Sequence, residues 1–421
     1  MNPAVNTKHH LEAIKAIQNK LLGKKLTYRE VFNLMNEISH KRLSDILTTY
    51  FVAASFKEGF STEELVYLTR AMVETGTKLN FKGIVADKHS TGGVAGTRTT
   101  MIIVPIIAAA GFKIPKTSSR AITTPAGTAD VMELLGNVMI SERKIESIVN
   151  DIGGCIVWGG HLGIAPADDI IIKIEEPLSF ESFDKVIVSI MAKKVAASTN
   201  HLILDIPVGK TMKIRHFEDA EKVAKKFRMI GKHFDMEVIT DISETFEPAG
   251  RGVGPYLEAK DVLEVLEQKK DRPLKLEAKA LRLAGKLLTI CFKDAHINKS
   301  GEEEARRILS ERIALKKFKE IIKAQGGDDQ VTSDNFKTKA HKKEVLPKKN
   351  GTIKEINNYN LNSVAKILGA PEDKYAGIYL LKKVDEKVEK KEPLLLFYSQ
   401  DRYRIKEAEV TLQNMPIYEI D

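Results

Sequence analysis

Cysteine is scarce in this chain, with two in 421 residues, Cys155 and Cys291. Each stands among apolar neighbours, so buried free thiols are expected rather than a disulfide, and a reducing compartment follows. Long apolar runs are missing too. The longest, residues 101–111, is too short to span a bilayer. The opening stretch MNPAVNTKHHLEAIKAIQNK has no apolar signal core, so the sequon at Asn298-Lys299-Ser300 carries no weight. No membrane association and a cytoplasmic location are the expectation. The net charge is +9, yet no zinc spacing, aromatic-interleaved basic strand or recognition-helix signature goes with it. Nucleic acid is therefore not an expected partner. Much of the excess base sits in residues 337–349 and in lysine-rich helices. It reads as solvated surface that also favours anionic small substrates. There is no internal repeat.

The length exceeds what one compact core usually holds, so two or three domains are expected. A hydrophobic content of 43% and a charged content of 29% fit a globular protein. The first eighty residues read as helices only. Leu11, Ile14, Ile17 and Leu21 recur at helical spacing, and Gly23 can end that helix. Thr27 with Glu30, and Ser61 with Glu64, have capping-box spacing, and Ser44 can cap the helix carrying Leu47 and Phe51. From residue 80 short apolar runs (84–86, 113–117, 129–135, 155–158) alternate with helices, the run 101–110 itself reading as a buried helix. The alternation predicts an α/β domain with a mainly parallel sheet. A helical piece at 183–196 interrupts it and is expected to pack on the N-terminal helices. The predicted organisation is a helical domain from segments 1–79 and 176–200, and an α/β domain from 80–175 and 201–325. A linker over 326–350 and a small C-terminal α+β domain over 351–421 complete it.

The stretch VADKHSTGGVAGTRTT, residues 85–100, sets Lys88 and His89 ahead of Gly92, Gly93 and Gly96. It is expected to follow the strand at 84–86, at the carboxyl end where open α/β sheets bind ligands. Glycines let the backbone turn its amides toward an anion. Ser90, Thr91, Thr97, Thr99 and Thr100 offer hydroxyl donors, Lys88 offers charge, and the downstream helix offers its first amides. The pattern is neither a Walker A loop nor a dinucleotide fingerprint. A second hydroxyl-rich cluster, KTSSRAITTPAGTAD at 116–130, also follows a short strand. Two such loops on neighbouring strands would make one anion pocket. Ser189 and Lys193, four apart in a helical run, share a face. His89 beside an anion loop can donate to a substrate carbonyl or, when protonated, pass a proton to a leaving base. Asp168 and Asp169 could hold a metal, but Asp168 is read as structural at a sheet end and no metal site is expected.

The seven residues DKHSTGG at 87–93 resemble the signature of the thymidine and pyrimidine-nucleoside phosphorylases. Later pieces follow in the family's order: SSRAITTPAGTAD (118–130), LGIAPADD (162–169), SIMAKK (189–194) and ILDIPVG (203–209). The resemblance runs from about residue 11 to residue 324, and more loosely to the C-terminus. Within it, the chain looks most like the nucleotide branch, the AMP (nucleoside monophosphate) phosphorylases. Nucleoside enzymes typically show Ser-Gly-Arg-Gly and then His-Thr-Gly-Gly-Thr. Here the stretch reads Ser118-Ser119-Arg120-Ala121, then Thr124-Pro125-Ala126-Gly127-Thr128. VWGGHLGIAPADD and RGVGPYLEAKDVL also look like that branch.

The resemblance implies a phosphate site of Lys88, Ser90, Ser118 and Thr128, with Thr100 beside them. It implies nucleotide contacts at Gly93, Ser119, Arg120, Ala121, Ile122, Thr123, Thr124, Thr128, Ser189 and Lys213. Lys193 matches a base-contacting lysine of the nucleoside enzymes. Three departures stand out. The purine-protonating acid of the nucleotide branch is an aspartate, whereas Glu181 holds the aligned position. Branch members often carry an additional N-terminal domain that is not read here, which argues against large assemblies. The arginine that nucleoside enzymes place before the helical insert has no counterpart in IIIKIEEPL, which argues against a thymidine substrate.

The implied reaction is phosphorolysis of a nucleoside monophosphate or nucleoside, with inorganic phosphate as co-substrate and no cofactor. Glu181 would be the acid for a purine and His89 would assist a pyrimidine. Family members have two hinged domains and close them over substrate; a homodimer through the helical domain is expected. The competing expectations are thymidine phosphorolysis, an anthranilate-type phosphoribosyltransferase using a diphosphate donor and Mg²⁺, and a non-catalytic phosphate-binding protein. The second usually has aspartate after its glycine loop, where this chain has Val94.

Overall fold

The computed structural model describes residues 7–178 and 182–421. Four helices open the chain: α1 (Thr7–Leu21), α2 (Tyr28–Ser39), α3 (Asp45–Glu58) and α4 (Thr62–Glu74). Alternating elements follow: β1 (Ala86–Ser90), α5 (Thr100–Ala109), β2 (Ile114–Ser118), α6 (Thr128–Met132), α7 (Glu142–Ile152) and β3 (Gly154–Trp158). Next come α8 (Pro166–Leu178), α9 (Phe183–Ala196), β4 (His201–Val208), α10 (Phe217–Lys232), β5 (Glu237–Glu244) and β6 (Gly252–Val253). A helical run of α11 (Pro255–Leu266), α12 (Leu274–Asp294), α13 (Gly301–Ser310) and α14 (Ile313–Ala324) leads to the C-terminal elements. These are β7 (His341–Val345), β8 (Gly351–Ile356), α15 (Asn358–Ile367), β9 (Gly377–Leu380), β10 (Lys387–Val388), β11 (Leu395–Ser399), α16 (Arg402–Thr411) and β12 (Tyr418–Ile420).

The chain divides into two compact units. The first is helical and comprises Met1–Val85, Gly159–Leu202 and Glu221–Val238. Its helix starts are written in the sequence. The Thr27 hydroxyl accepts from the Glu30 amide, and the Glu30 carboxylate accepts from the Thr27 amide at 2.9 Å. Ser61 and Glu64 repeat this box at α4, and Ser44 caps α3. Such caps each stabilise a helix by about 1 kcal/mol. Glu64 does more than cap: it is buried and accepts from Lys20 Nζ at 3.0 Å and from the Leu26 amide at 3.1 Å. The helical segment after β3 is longer than expected. It begins at Gly159 rather than 176 and takes in α8, which packs on α2 and α3. The run 170–174 supplies an apolar face to that helix, with Ile171 buried. Most of α10, expected with the α/β domain, also falls within the helical unit.

The second unit comprises Ala86–Trp158, Ile203–Ala220 and Ile239–Asp421. Its strands run β1-β4-β5 and β2-β3, the latter pair parallel from Ile114↔Gly154 to Ser118↔Trp158. The Ala86 amide donates to the Lys113 carbonyl at 2.8 Å, which sets β2 beside β1. α5, entirely apolar after Thr100, is buried along nearly its whole length. The run 129–135, expected as a further sheet run, instead opens the short helix α6. Its start is fixed by Asp130, whose carboxylate accepts from the Gly127 amide at 2.9 Å.

The C-terminal residues belong to this same unit. β9 pairs antiparallel with β6, and Ala95 and Val253 lie in one apolar cluster with Ile353, Leu361, Ile378 and Phe397. The segment read as a linker contributes β7, which pairs with β11 over five residues. Leu395 and Phe397 are buried on β11, whereas His341, Lys342, Lys343 and Glu344 are exposed. The polar appearance of β7 is that of a sheet edge. Both cysteines are free and buried. No helix among the described residues is long and apolar enough to cross a membrane.

Candidate active site

β1 does not end at Ala86, as the sequence suggests, but begins there. Lys88, His89 and Ser90 are therefore strand residues, and the glycine loop starts one residue later. Ala86, Asp87 and Lys88 are all buried, and Lys88 is 3% exposed. Its ammonium lies 3.6 Å from Asp205 on β4, and Asp205 also pairs with Lys279 of α12 at 2.9 Å. Burial pushes the Lys88 pKa down to about 8, with the Lys279 and Arg98 charges adding to the fall and Asp205 opposing it. Lys116 of β2 donates to the Lys88 carbonyl at 2.8 Å and to Asp87 at 3.1 Å.

The loop beyond Ser90 is held on several sides. Ser90 Oγ accepts from the Gly92 amide at 3.3 Å, and the Thr91 amide donates to the Asp205 carbonyl at 3.0 Å. Gly92, Gly93 and Gly96 all have positive φ, at 87°, 89° and 58°. At Gly93 a side chain would also meet Lys213 Cγ at 3.1 Å, so the bare backbone is what admits Lys213 beside the loop. Thr100 is the buried first residue of α5.

Arg98 joins the two loops. It donates from Nε to Glu258 at 2.8 Å, from Nη1 to Thr128 Oγ1 at 2.8 Å, and from Nη2 to the Ala126 carbonyl at 2.7 Å. The two loops expected to serve one place are thus tied directly, by a residue that the sequence reading does not single out. In the second loop Ser118 ends β2, while Ser119, Ile122 and Thr123 are exposed. Ala121 and Gly127 both donate to Asp130 Oδ2, at 2.7 and 2.9 Å. A Cβ at Gly127 would lie 2.5 Å from the Ser119 carbonyl oxygen, so only glycine closes this loop on itself. Thr124 accordingly lies near its neck, its hydroxyl donating to the Ala126 carbonyl at 3.0 Å. Arg120 points to protein, not outward: it pairs with Asp130 at 3.1 Å and Glu133 at 2.5 Å, and lies 4.8 Å over the Trp158 ring. The hydrogen bond from Arg120, with Lys374 assisting and burial opposing, holds Glu133 down at about 2.

Ser189 and Lys193 belong to the helical unit and form a cluster there. They share a face of α9, as their spacing requires, and both meet Asp168. The Ser189 hydroxyl donates to Asp168 at 2.7 Å, and Lys193 Nζ lies 2.6 Å from the same oxygen. Asp168 is therefore not at a sheet end; it lies in the first turn of α8. Burial lowers the Lys193 pKa, but Asp168 and Asp169 outweigh it and the net shift is upward. Burial raises neighbouring Asp169 to about 6, despite the opposing charge of Lys193. Glu181 lies outside the described residues.

Asp205, Lys279, Arg98, Glu258 and Asn358 are neighbours of the candidate site residues that sequence reasoning passes over. Glu258 has a signal, because it stands inside the quoted run RGVGPYLEAKDVL. Others are joined to the loops by contacts that bridge up to 265 positions of chain, which no local pattern carries.

Comparison with known proteins agrees with this layout. The family described as "Glycosyl transferase family, a/b domain" matches residues 82–311. Its helical bundle domain matches 14–76, and the "Pyrimidine nucleoside phosphorylase C-terminal domain" matches 352–418. AMP phosphorylase 1 of Archaeoglobus fulgidus is 38% identical over 408 residues, covering 96% of this chain and 80% of its own. A Bradyrhizobium diazoefficiens protein named "Putative thymidine phosphorylase" is 41% identical over 397 residues, covering 93% and 75%. Among solved structures, anthranilate phosphoribosyltransferase from Thermus thermophilus superposes with a TM-score of 0.59 at 16% identity, over 74% of this chain and 99% of its own. At that identity the likeness concerns the fold alone. Matched over more than half its length by the a/b domain family, the chain belongs to the glycosyl transferase family, with that family's helical bundle and a pyrimidine nucleoside phosphorylase C-terminal domain.

Proposed function

We propose that the protein catalyses phosphorolysis of the N-glycosidic bond of a nucleoside monophosphate. From AMP, CMP or UMP it would release the free base and ribose 1,5-bisphosphate. The observation that carries this reading is the buried Lys88 ammonium on β1. Three positive-φ glycines follow it, and Arg98 ties their loop to the hydroxyl-bearing start of α6. A phosphate oxygen attacks the anomeric carbon as the bond to the base nitrogen breaks. Negative charge stays on phosphate and grows on the departing base. Lys88, the loop amides and the hydroxyls of Ser90, Thr100, Ser118 and Thr128 orient the nucleophile, an effect worth roughly 7–11 kcal/mol when alignment is good. A proton delivered to the base adds about 10²–10⁴-fold, from Glu181 for a purine or with help from His89 for a pyrimidine. Gly93, Ser119, Ala121, Ile122, Thr123, Thr124 and Lys213 would hold the nucleotide on the α/β unit, Arg120 being engaged with Asp130 and Glu133 instead. Ser189 and Lys193 are the nucleotide contacts that the resemblance assigns to the helical unit. Inorganic phosphate is the co-substrate, and the reaction as written calls on no cofactor.

The relative named AMP phosphorylase supports the nucleotide substrate. The second reading, thymidine phosphorolysis to thymine and deoxyribose 1-phosphate, is favoured by the comparable identity to the relative bearing that name. The phosphoribosyltransferase reading has only the shared fold. A homodimer is proposed through the helical unit, whose α1 and α3 expose Leu11, Leu21, Ile46 and Tyr50. The two unbridged thiols support a reducing, cytoplasmic setting.

The deciding assay measures free base from AMP, CMP, UMP, thymidine and uridine, each with and without inorganic phosphate. Phosphate-dependent release from the monophosphates is expected. Release from thymidine in preference to them would establish the second reading, and no phosphate-dependent release from any substrate would sink both.

A further inference from the structure

The N-terminal half of α15 carries a set of polar side chains that the proposed chemistry leaves unused. Asn358 is 1% exposed and Asn362 is 7% exposed. The Asn358 side-chain amide donates to the Gly93 carbonyl, and Asn362 Nδ2 reaches the same oxygen at 3.3 Å. Asn358 Oδ1 accepts from the Ala95 amide at 3.1 Å. The helix also grips the loop bearing Lys213. The Asn358 amide donates to Thr211 Oγ1 at 3.2 Å, and the Tyr359 hydroxyl donates to the Met212 carbonyl at 3.0 Å. Further along the helix, Lys366 donates to the Ile122 carbonyl at 2.9 Å in the second hydroxyl-rich loop. One helix of the C-terminal domain thus holds three separate loops of the α/β unit.

An anion site built from backbone amides has a requirement that glycine alone does not meet. The carbonyl oxygens of the same loop must be turned away, since a single carbonyl facing the anion would oppose several amides. Glycine makes the turned conformation accessible but does not select it. Two side-chain amides converging on the Gly93 oxygen do select it, because a buried carbonyl with two donors is costly to rotate away.

We infer that Asn358 and Asn362 are positioning residues for the phosphate site: they fix the Gly93 carbonyl away from the anion, and α15 thereby sets the geometry of the loops that hold the substrate. The C-terminal domain is then part of the catalytic unit's working geometry rather than an appendage. This rests on the phosphorolysis reading, so its test needs a readout independent of turnover.

Asn358→Asp keeps the acceptor for the Ala95 amide but replaces the donor to Gly93 with a repelling oxygen. Three quantities are measured: binding of inorganic phosphate by calorimetry, KM for phosphate against KM for the nucleotide, and Tm without phosphate. Phosphate affinity is expected to fall at least about tenfold, the scale of one lost hydrogen bond to a charged group. Asn358→Asp also lowers the phosphate-free Tm, because it buries a carboxylate. Gly93 borders the nucleotide as well, so the diagnostic result is a loss of phosphate affinity larger than the change in nucleotide KM. Asn362→Leu, which removes only the second donor, should show a smaller loss in the same direction, and it carries the test if Asn358→Asp does not fold. Ser363→Ala on the same helix, whose hydroxyl donates to the Tyr359 carbonyl within that helix, should change none of the three. Unaltered phosphate affinity in both Asn variants overturns the inference. So does a loss shared equally by both substrates and by Tm, which would mark a merely structural role. If the parent protein binds phosphate but turns over no substrate, the phosphorolysis reading fails while the calorimetric comparison still decides this one.

Discussion

Lys88 combines burial with a charge that the proposed chemistry needs. Its pKa of about 8, lowered first by burial, means that the free protein loses this proton as pH rises through 8, while the unfolded chain keeps it to about 10.5. Between those values the unfolded state binds more protons, so this group makes the fold more stable as pH rises. Phosphate binding moves the opposite way, because the neutral amine no longer attracts an anion. kcat/KM for phosphate is therefore expected to fall above about pH 8 with no accompanying fall in Tm from this residue. A pH profile run beside a melting series checks both signs, and parallel losses would contradict the assignment. Lys88→Ala should lower kcat by about 10²–10³-fold, the scale for losing one preorganised charge-stabilising donor. The variant should fold, because Lys279 stays 2.9 Å from Asp205 and leaves that carboxylate paired. Lys193→Ala should instead raise KM for the nucleotide and spare KM for phosphate, since Lys193 belongs to the Asp168 cluster on α8 and α9.

Between elements, Arg98 is the connection whose loss should be felt most. Its partner Glu258 is 1% exposed, and burial raises that carboxyl's pKa despite the arginine beside it. Arg98→Met would strand a buried carboxylate and should destabilise the protein by about 3–5 kcal/mol. Adding Glu258→Gln should recover much of that stability but not the activity, because Thr128 and Ala126 would still lack their donor. Denaturant melts and kcat/KM on the single and double variants separate the two effects. This pair also shows where the sequence can be read and where it cannot. The two capping boxes, the Ser44 cap, the apolar helix after Thr99 and the hydroxyl-rich loops are patterns within a few residues, and each is legible. The start of β1 at Ala86 escapes a local reading because its edge is set by the Lys113 carbonyl, 27 positions on. Residues 129–132 mislead because an apolar run of that length has no period of its own, and the Asp130 cap decides it. β7 passes for a linker because an edge strand exposes most of its side chains. The site residues can be listed from a resemblance, but the ties between them, Arg98 to Glu258 or Asn358 to Gly93, link positions that one sequence does not pair.

At the scale of the molecule, the two units differ in what they leave uncovered. The α/β unit with its C-terminal elements gathers many of its large apolar side chains into buried clusters such as that of Ile353, Ile378 and Phe397. The helical unit concentrates most of its exposed large apolar side chains on two neighbouring helices and their ends. On α1 and just after it, Leu11, Leu21 and Leu22 are 59%, 48% and 71% exposed; on α3, Ile46, Tyr50 and Phe56 are 71%, 53% and 47% exposed. Ile46 and Tyr50 are four apart and share one helical face, and α1 packs beside α3. Large apolar side chains gathered on neighbouring helices mark an association surface more often than a wetted one. In the proposed homodimer a second copy of the chain would cover this surface with identical residues, as a two-fold interface requires. If the proposed dimer forms through this face, the parent sediments as a dimer and Ile46→Glu combined with Leu11→Glu as a monomer in analytical ultracentrifugation. Neither residue belongs to the buried core of its helix, so the helical unit should keep its Tm within a few degrees. Because Lys88, Arg98 and Asn358 all lie in the other unit, inorganic phosphate should bind the monomer as tightly as the dimer. A variant that remains dimeric would move the interface away from α1 and α3. A monomer that no longer binds phosphate would mean that the anion site depends on assembly, and the separation of roles between the two units would have to be abandoned.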